Sequence, residues 1–85
     1  MFDIKTVIGE NGQLGRNNIK NKLQDGNSQG AENVTLYFPN AELYDETFVL
    51  QSIRRYKEVL KKDRKEHLIA EMWVLVKGEI KKFRL

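Results

Sequence analysis

"FDIKTV", residues 2–7, alternates Phe2, Ile4 and Thr6 with Asp3 and Lys5, the two-residue period of a β-strand. Ile4, Val7 and Ile8 add β-branched bulk, and a first strand is predicted over residues 2–8. The alternation puts Asp3 and Lys5 on one strand face, a few ångströms apart. "GENGQLGR" (9–16) follows with three glycines. It fits neither the phosphate-loop nor the dinucleotide glycine pattern and reads as a flexible turn.

Beyond the turn the period changes. Asn17 or Asn18 is a candidate cap for a helix starting near Ile19, whose apolar stripe is Ile19 and Leu23. Gly26 weakens the end of that helix and "SQGA" (28–31) closes it. "NVTLYFP" (33–39) predicts a second strand over Val34–Phe38, apolar enough to be covered on both faces and stopped by Pro39. After the loop "NAELYDET" (40–47), Asp45 is a cap for the clearest helix, predicted over Glu46–Lys65. Val49, Ile53, Tyr56 and Leu60 recur along it at spacings of four, three and four. "HLIAEMWVLV" (67–76) supplies a third strand around Ala70–Val76. "KGEIKKFRL" (77–85) supplies a turn at Lys77–Gly78 and a fourth strand, whose Lys81, Lys82 and Arg84 suit an exposed edge.

The order is therefore β-α-β-α-β-β. Strand–helix–strand units require crossover connections. The expected fold is α/β, a mostly parallel four-stranded sheet with an antiparallel last strand and two helices. Residues 1–85 form one domain, of a size that leaves little margin for its core. No internal repeat or low-complexity stretch interrupts it.

The hydrophobic share of 40% and charged share of 32% are those of a soluble globular chain. Without cysteine there is neither a disulfide framework nor a thiolate metal site. No apolar run approaches the ~20 residues of a membrane span, and the first residues lack a signal-peptide pattern. A cytoplasmic protein with no membrane partner is expected. The net charge of +3 is unevenly spread. Residues 1–50 carry four Lys/Arg against seven Asp/Glu, residues 51–85 eleven against five. Within "RRYKEVLKKDRK" (54–65), Arg54, Arg55, Lys57, Lys61, Lys62, Arg64 and Lys65 are candidate phosphate contacts. Such contacts give salt-dependent affinity without sequence preference, and a solvated helix face is the alternative. Tyr56 and Trp73 are expected in the core. His67 stands alone, with no partner set for catalysis or metal binding.

Asp3-Ile4-Lys5 is the sharpest chemical feature. A strand carboxylate can hold a divalent cation through oxygen, and a lysine two places on can steady charge building on a phosphate. An Asp–Lys pair on a solvated strand has the same spelling.

A D-x-K strand followed by a helix and a parallel strand resembles the second half of the PD-(D/E)xK nuclease core. The wording "FDIKTV…NNIKNKL…QGAENVTLYFP…IRRY…EMWVLVKGEIKKF" resembles, over nearly the whole chain, the CdiA C-terminal tRNase-type toxin domains of contact-dependent growth inhibition. Related domains end phage and mobile-element proteins. The resemblance implies a partial restriction-endonuclease-like core and a metal-dependent ribonuclease activity using Mg²⁺ or Mn²⁺. Asp3 would be the metal ligand, Lys5 the motif lysine, Gln29 a further site residue and Thr6 a possible neighbour. It implies RNA as substrate and an immunity-type protein partner. In the family a helix and two strands, bearing another acid, precede this motif, whereas only Met1 and Phe2 precede Asp3 here. The chain is therefore expected to be the C-terminal portion of a larger domain. The alternatives are that another chain completes the site or that the domain is a relic inactive as this fragment. Asp25, Glu32 or Glu10 could in principle substitute for the missing acid, but no spacing supports any of them. The bared edge of the first strand suggests a homodimer. The alternative function is a non-catalytic module that binds nucleic acid or a protein.

Overall fold

The computed structural model describes residues 1–85. Strand β1 (Phe2–Thr6) leads to helix α1 (Asn18–Ser28), then to β2 (Asn33–Phe38), and a 3₁₀ turn at Ala41–Leu43 precedes helix α2 (Glu46–Lys62). Strands β3 (Glu71–Val76) and β4 (Glu79–Arg84) complete the chain. The strands lie in the order β1-β2-β3-β4, the first three parallel and the last antiparallel. This is the α/β architecture read from the sequence, with its mixed sheet and two helices. No helix is long and apolar enough to cross a membrane.

Both helices cover one face of the sheet. Val34, Leu36 and Phe38 of β2 and Met72, Val74 and Val76 of β3 point beneath them. They meet Ile19 and Leu23 of α1 and Val49, Ile53, Tyr56 and Leu60 of α2 in a single core. The opposite face is open. On β2 it carries Tyr37, which is exposed, so this strand is not covered on both faces as its apolar composition suggested. Trp73 is also corrected. It lies on the open side of β3, half-buried and outside the core, because alternation from Met72 and Val74 sends it the other way.

Capping explains where the helices stop. At the end of α1, Ala31 N donates to Gly26 O and Gly30 N to Asn27 O, with Gly30 at φ +77°. That is the paired 6→1 and 5→2 bonding of a Schellman turn, and glycine takes its left-handed position without a Cβ penalty. Helix α2 ends in the same way three residues before the predicted boundary. Lys65 N donates to Leu60 O and Arg64 N to Lys61 O, with Arg64 at φ +54°. At its start, Asp45 accepts from Phe48 N at 3.2 Å, as expected of that cap. Asn17 stands before α1 but its side chain makes no capping bond. The β3–β4 turn places Lys77 and Gly78 at φ +52° and +73°, suited to the twist of a hairpin.

Two side chains tie the irregular stretch 63–70 to the helices. Buried Asn27 donates through Nδ2 to Glu66 O at 2.8 Å and accepts through Oδ1 from Leu68 N at 2.7 Å. Tyr56 and His67 share a hydrogen bond of 2.9 Å at His67 Nδ1. Burial pushes the Tyr56 phenol up to about 12, so it keeps its proton at neutral pH, and the direction of the bond follows the tautomer of a neutral His67 ring. Burial, with a smaller contribution from the Lys57 charge, lowers the His67 pKa and favours that neutral ring.

Candidate functional site

Asp3 and Lys5 project together from β1 on the side that the helices cover. The side chains retain only 16% and 17% of their accessible surface. Helix α1 runs back along β1, and its last turns bring two further groups to the pair. Asp25 and Gln29 stand four residues apart, hence on one helix face. Lys5 Nζ donates to Asp25 Oδ2 at 2.5 Å, and Gln29 Nε2 donates to the same oxygen at 3.0 Å. Lys5 Nζ is also 3.1 Å from Asp3 Oδ2. That second contact is an ion pair without hydrogen-bond alignment, and Asp3 Oδ2 is a buried acceptor with no aligned donor. One ammonium therefore stands between two carboxylates, leaving a formal charge of −1 on the trio.

Gly26 permits this approach. A Cβ there would sit 2.5 Å from Val34 Cγ2 and 3.4 Å from Asp3 Oδ2. Only a residue without a side chain lets α1 lie this close to β1 and β2. The glycine that weakens α1 by propensity is the one that seats it on the site. Asp25 breaks a second local rule. It lies near the carbonyl end of α1, where the helix dipole disfavours negative charge, and no basic residue occupies the last turn. Lys5, from another element, supplies the compensation.

The electrostatics follow from this contact. The hydrogen bond to Asp25 raises the Lys5 pKa above its ordinary value, outweighing burial, with smaller contributions from Asp3. Reciprocally, the bond and charge of Lys5 hold the Asp25 carboxyl below the usual range, and Gln29 adds to this. Lys5 is thus a permanent cation near neutral pH rather than a base, and Asp25 a permanent anion rather than an acid.

The other sequence candidates are dispersed. Thr6 is exposed on the open face, away from Asp3 and Lys5. Glu10 belongs to the turn it closes with Gln13, and Glu32 leads into β2; neither pairs with Lys5. On α2, Arg54, Lys57 and Lys61 fall on one exposed stripe by helical spacing, with Arg55 and Lys62 on the adjacent one. Arg55 and Lys62, with Glu58 and Val59 between them on α2, join Lys20 and Asn17 around a groove of about 250 Å³ between the helices, and Arg55 donates to Arg16 O at 3.3 Å. Arg64 and Lys65 lie beyond the helix, exposed. The surface grooves are lined by other residues than Asp3, Lys5 and Asp25, so the cluster lies on the seam between β1 and α1 rather than in a cleft.

No set of three or more His, Cys, Asp or Glu side chains converges as a ready metal site. Asp3 and Asp25 fit a smaller demand. Mg²⁺ is commonly held by one or two carboxylates, its remaining positions filled by water and substrate phosphate. Asp25 is the functional candidate that spacing did not single out. Its signals were the i,i+4 pairing with Gln29 and the acid at the wrong end of a helix. Comparison of the chain with protein-family models, with curated proteins and with solved structures gives no match.

Proposed function

We propose that the chain is a nuclease-like domain that hydrolyses RNA phosphodiesters with Mg²⁺ or Mn²⁺ at the Asp3–Lys5–Asp25 cluster. The observation that carries this reading is the convergence of two carboxylates from separate elements on one protonated lysine. A structural ion pair needs only one acid. The second leaves surplus negative charge, and α1 breaks its own rules at Asp25 and Gly26 to bring it there. Departures from local preference concentrate at functional sites.

In this reading Asp3 and Asp25 would hold a divalent cation, which when bound would supply a water of lowered pKa and neutralise phosphate charge. Lys5 keeps its proton and stabilises the negative charge that develops on the phosphate oxygens. Gln29 orients Asp25 through its amide N–H. The basic stripes of α2 attract the polynucleotide, and an RNA substrate puts the activity in the cytoplasm. The free edge of β1, which pairs only with β2, is where a second copy would extend the sheet into a homodimer. An inhibitory protein partner of the immunity type would cover the β1–α1 seam.

A second reading, a non-catalytic module binding nucleic acid or a protein, draws on the absence of a cleft at the cluster and on Lys5 already answering both acids. End-labelled tRNA incubated with the protein and Mg²⁺ or Mn²⁺ separates the two. Hydrolysis requires metal and falls at least about 100-fold in Asp3→Asn and Lys5→Met, as for loss of a transition-state charge contact. Intact RNA that is nonetheless retained by the protein selects the module.

A further inference from the structure

The sheet face opposite the helices has a composition that the cluster does not explain. Strand pairing arranges it in cross-strand rows. Phe2 aligns through Asn33 and Glu71 to Arg84, and Ile4 through Thr35 and Trp73 to Lys82. A third row runs from Thr6 through Tyr37 and Leu75 to Ile80. The middle strand contributes small polar groups, Asn33 and Thr35, beneath the larger rings. Phe2 packs edge-on against Trp73 with centroids 5.5 Å apart. Phe2 nevertheless stays 59% exposed and Tyr37 42%. Lys82 Nζ stands 4.7 Å over the Trp73 ring. Glu71 is the one acid among these side chains; it accepts from Trp73 Nε1 at 3.2 Å and is register-paired with Arg84.

We infer that this open face is a platform on which a short single-stranded RNA segment stacks two or three bases, its phosphates held by Lys82 and Arg84. Area and charge select this occupant. Four strands, one of five residues and three of six, span about 19 by 20 Å, or about 380 Å² of flat face. A stable protein partner needs about 800 Å² per side. The face is thus too small for a second copy to be held by it alone, and matches a few nucleotides. Exposed rings accept any base by its π-face, and two cations at the margin match a phosphate chain. Phe2 and Asp3 are neighbours in sequence on opposite faces of β1. A strand stacked on Phe2 therefore needs only to round the sheet edge to reach Lys5. The choice of RNA rests on the hydrolase reading; the platform rests on the rings and cations.

Trp73 is the sole tryptophan and reports the contact directly. The test titrates an unstructured oligouridylate of eight nucleotides into Asp3→Asn protein in EDTA, where no hydrolysis is expected, following Trp73 fluorescence and oligonucleotide anisotropy. The expected result is saturable quenching that coincides with the anisotropy change and weakens with salt. Phe2→Ala and Tyr37→Ala each lower affinity about tenfold, the loss of one stacked base. Lys82→Gln reduces the salt slope by about one, while Lys57→Gln with Lys61→Gln lowers the affinity through the lost attraction of α2 and leaves the quenching at saturation unchanged. Binding without quenching, or binding lost through the α2 pair and kept in Phe2→Ala, overturns the platform. So does a dimer in sedimentation that Tyr37→Ala abolishes, because Tyr37 lies on the face but away from the β1 edge, and the loss of that dimer would assign the face to a second copy. Platform binding that persists when wild type fails to cleave RNA removes the hydrolase alone. Cleavage without stacking removes the platform alone.

Discussion

Gly26→Ala tests the seating of α1 on the sheet. On propensity alone, alanine in a helix interior gains about 1 kcal/mol over glycine. The surroundings oppose it. The new methyl would stand 2.5 Å from Val34 Cγ2, about 1–1.5 Å inside ordinary carbon–carbon contact at about 3.5–4.0 Å. Val34 is fully buried and β-branched, so it has little freedom to yield. Overpacking of this kind costs about 1–3 kcal/mol. The net expectation is a destabilisation of about 1 kcal/mol, a fall in Tm of about 4–8 °C for a domain of this size. Val34→Ala removes the obstructing methyls. In that background the same substitution turns stabilising by about 1 kcal/mol, a coupling of about 2 kcal/mol between the sites. Paired thermal and urea melts of the four proteins measure it. A Gly26→Ala protein more stable than wild type, or no change of sign beside Val34→Ala, refutes the close approach.

Asn27→Ala removes two hydrogen bonds and leaves Glu66 O and Leu68 N without their side-chain partner. A loss of about 2–4 kcal/mol in urea unfolding is expected, with early hydrogen exchange across 63–70. The lowered pKa of His67 fixes a sign for pH. Between 6.5 and the lower folded value the unfolded chain binds more protons. Stability contributed by neutral His67 is therefore full above pH 6.5 and is lost as pH falls through the folded value. His67→Gln flattens that part of the stability profile, and an unchanged slope contradicts the Tyr56–His67 assignment.

Periodicity carried most of the fold. Alternation in "FDIKTV", the four-three-four spacing along α2 and the Lys77–Gly78 turn were sufficient to order the elements. Alternation also placed Asp3 and Lys5 on one face. The misread positions share a cause, which is that a residue's own chemistry does not reveal its neighbours in space. Trp73 and Tyr37 are apolar enough for a core, yet only packing decides which sheet face the helices cover. Lys65 continues the helical pattern, but Arg64 takes a left-handed conformation that sequence assigns to glycine. Asp25 is twenty residues from Lys5 and meets it only because Gly26 lets α1 approach. Gln29, nominated through resemblance, stands beside Asp25, since an i,i+4 pair shares a helix face.

The most direct measurement of the proposed metal-binding role follows backbone amide signals during titration with Mn²⁺, whose unpaired electrons broaden nearby resonances. With Asp3 and Asp25 as ligands, substoichiometric Mn²⁺ broadens residues 2–6 and 24–30 first, excess Mg²⁺ restores them, and Asp3→Asn abolishes the effect while the remaining spectrum is unchanged. Broadening that begins elsewhere, or none at the β1–α1 seam, contradicts a metal-dependent phosphodiesterase there.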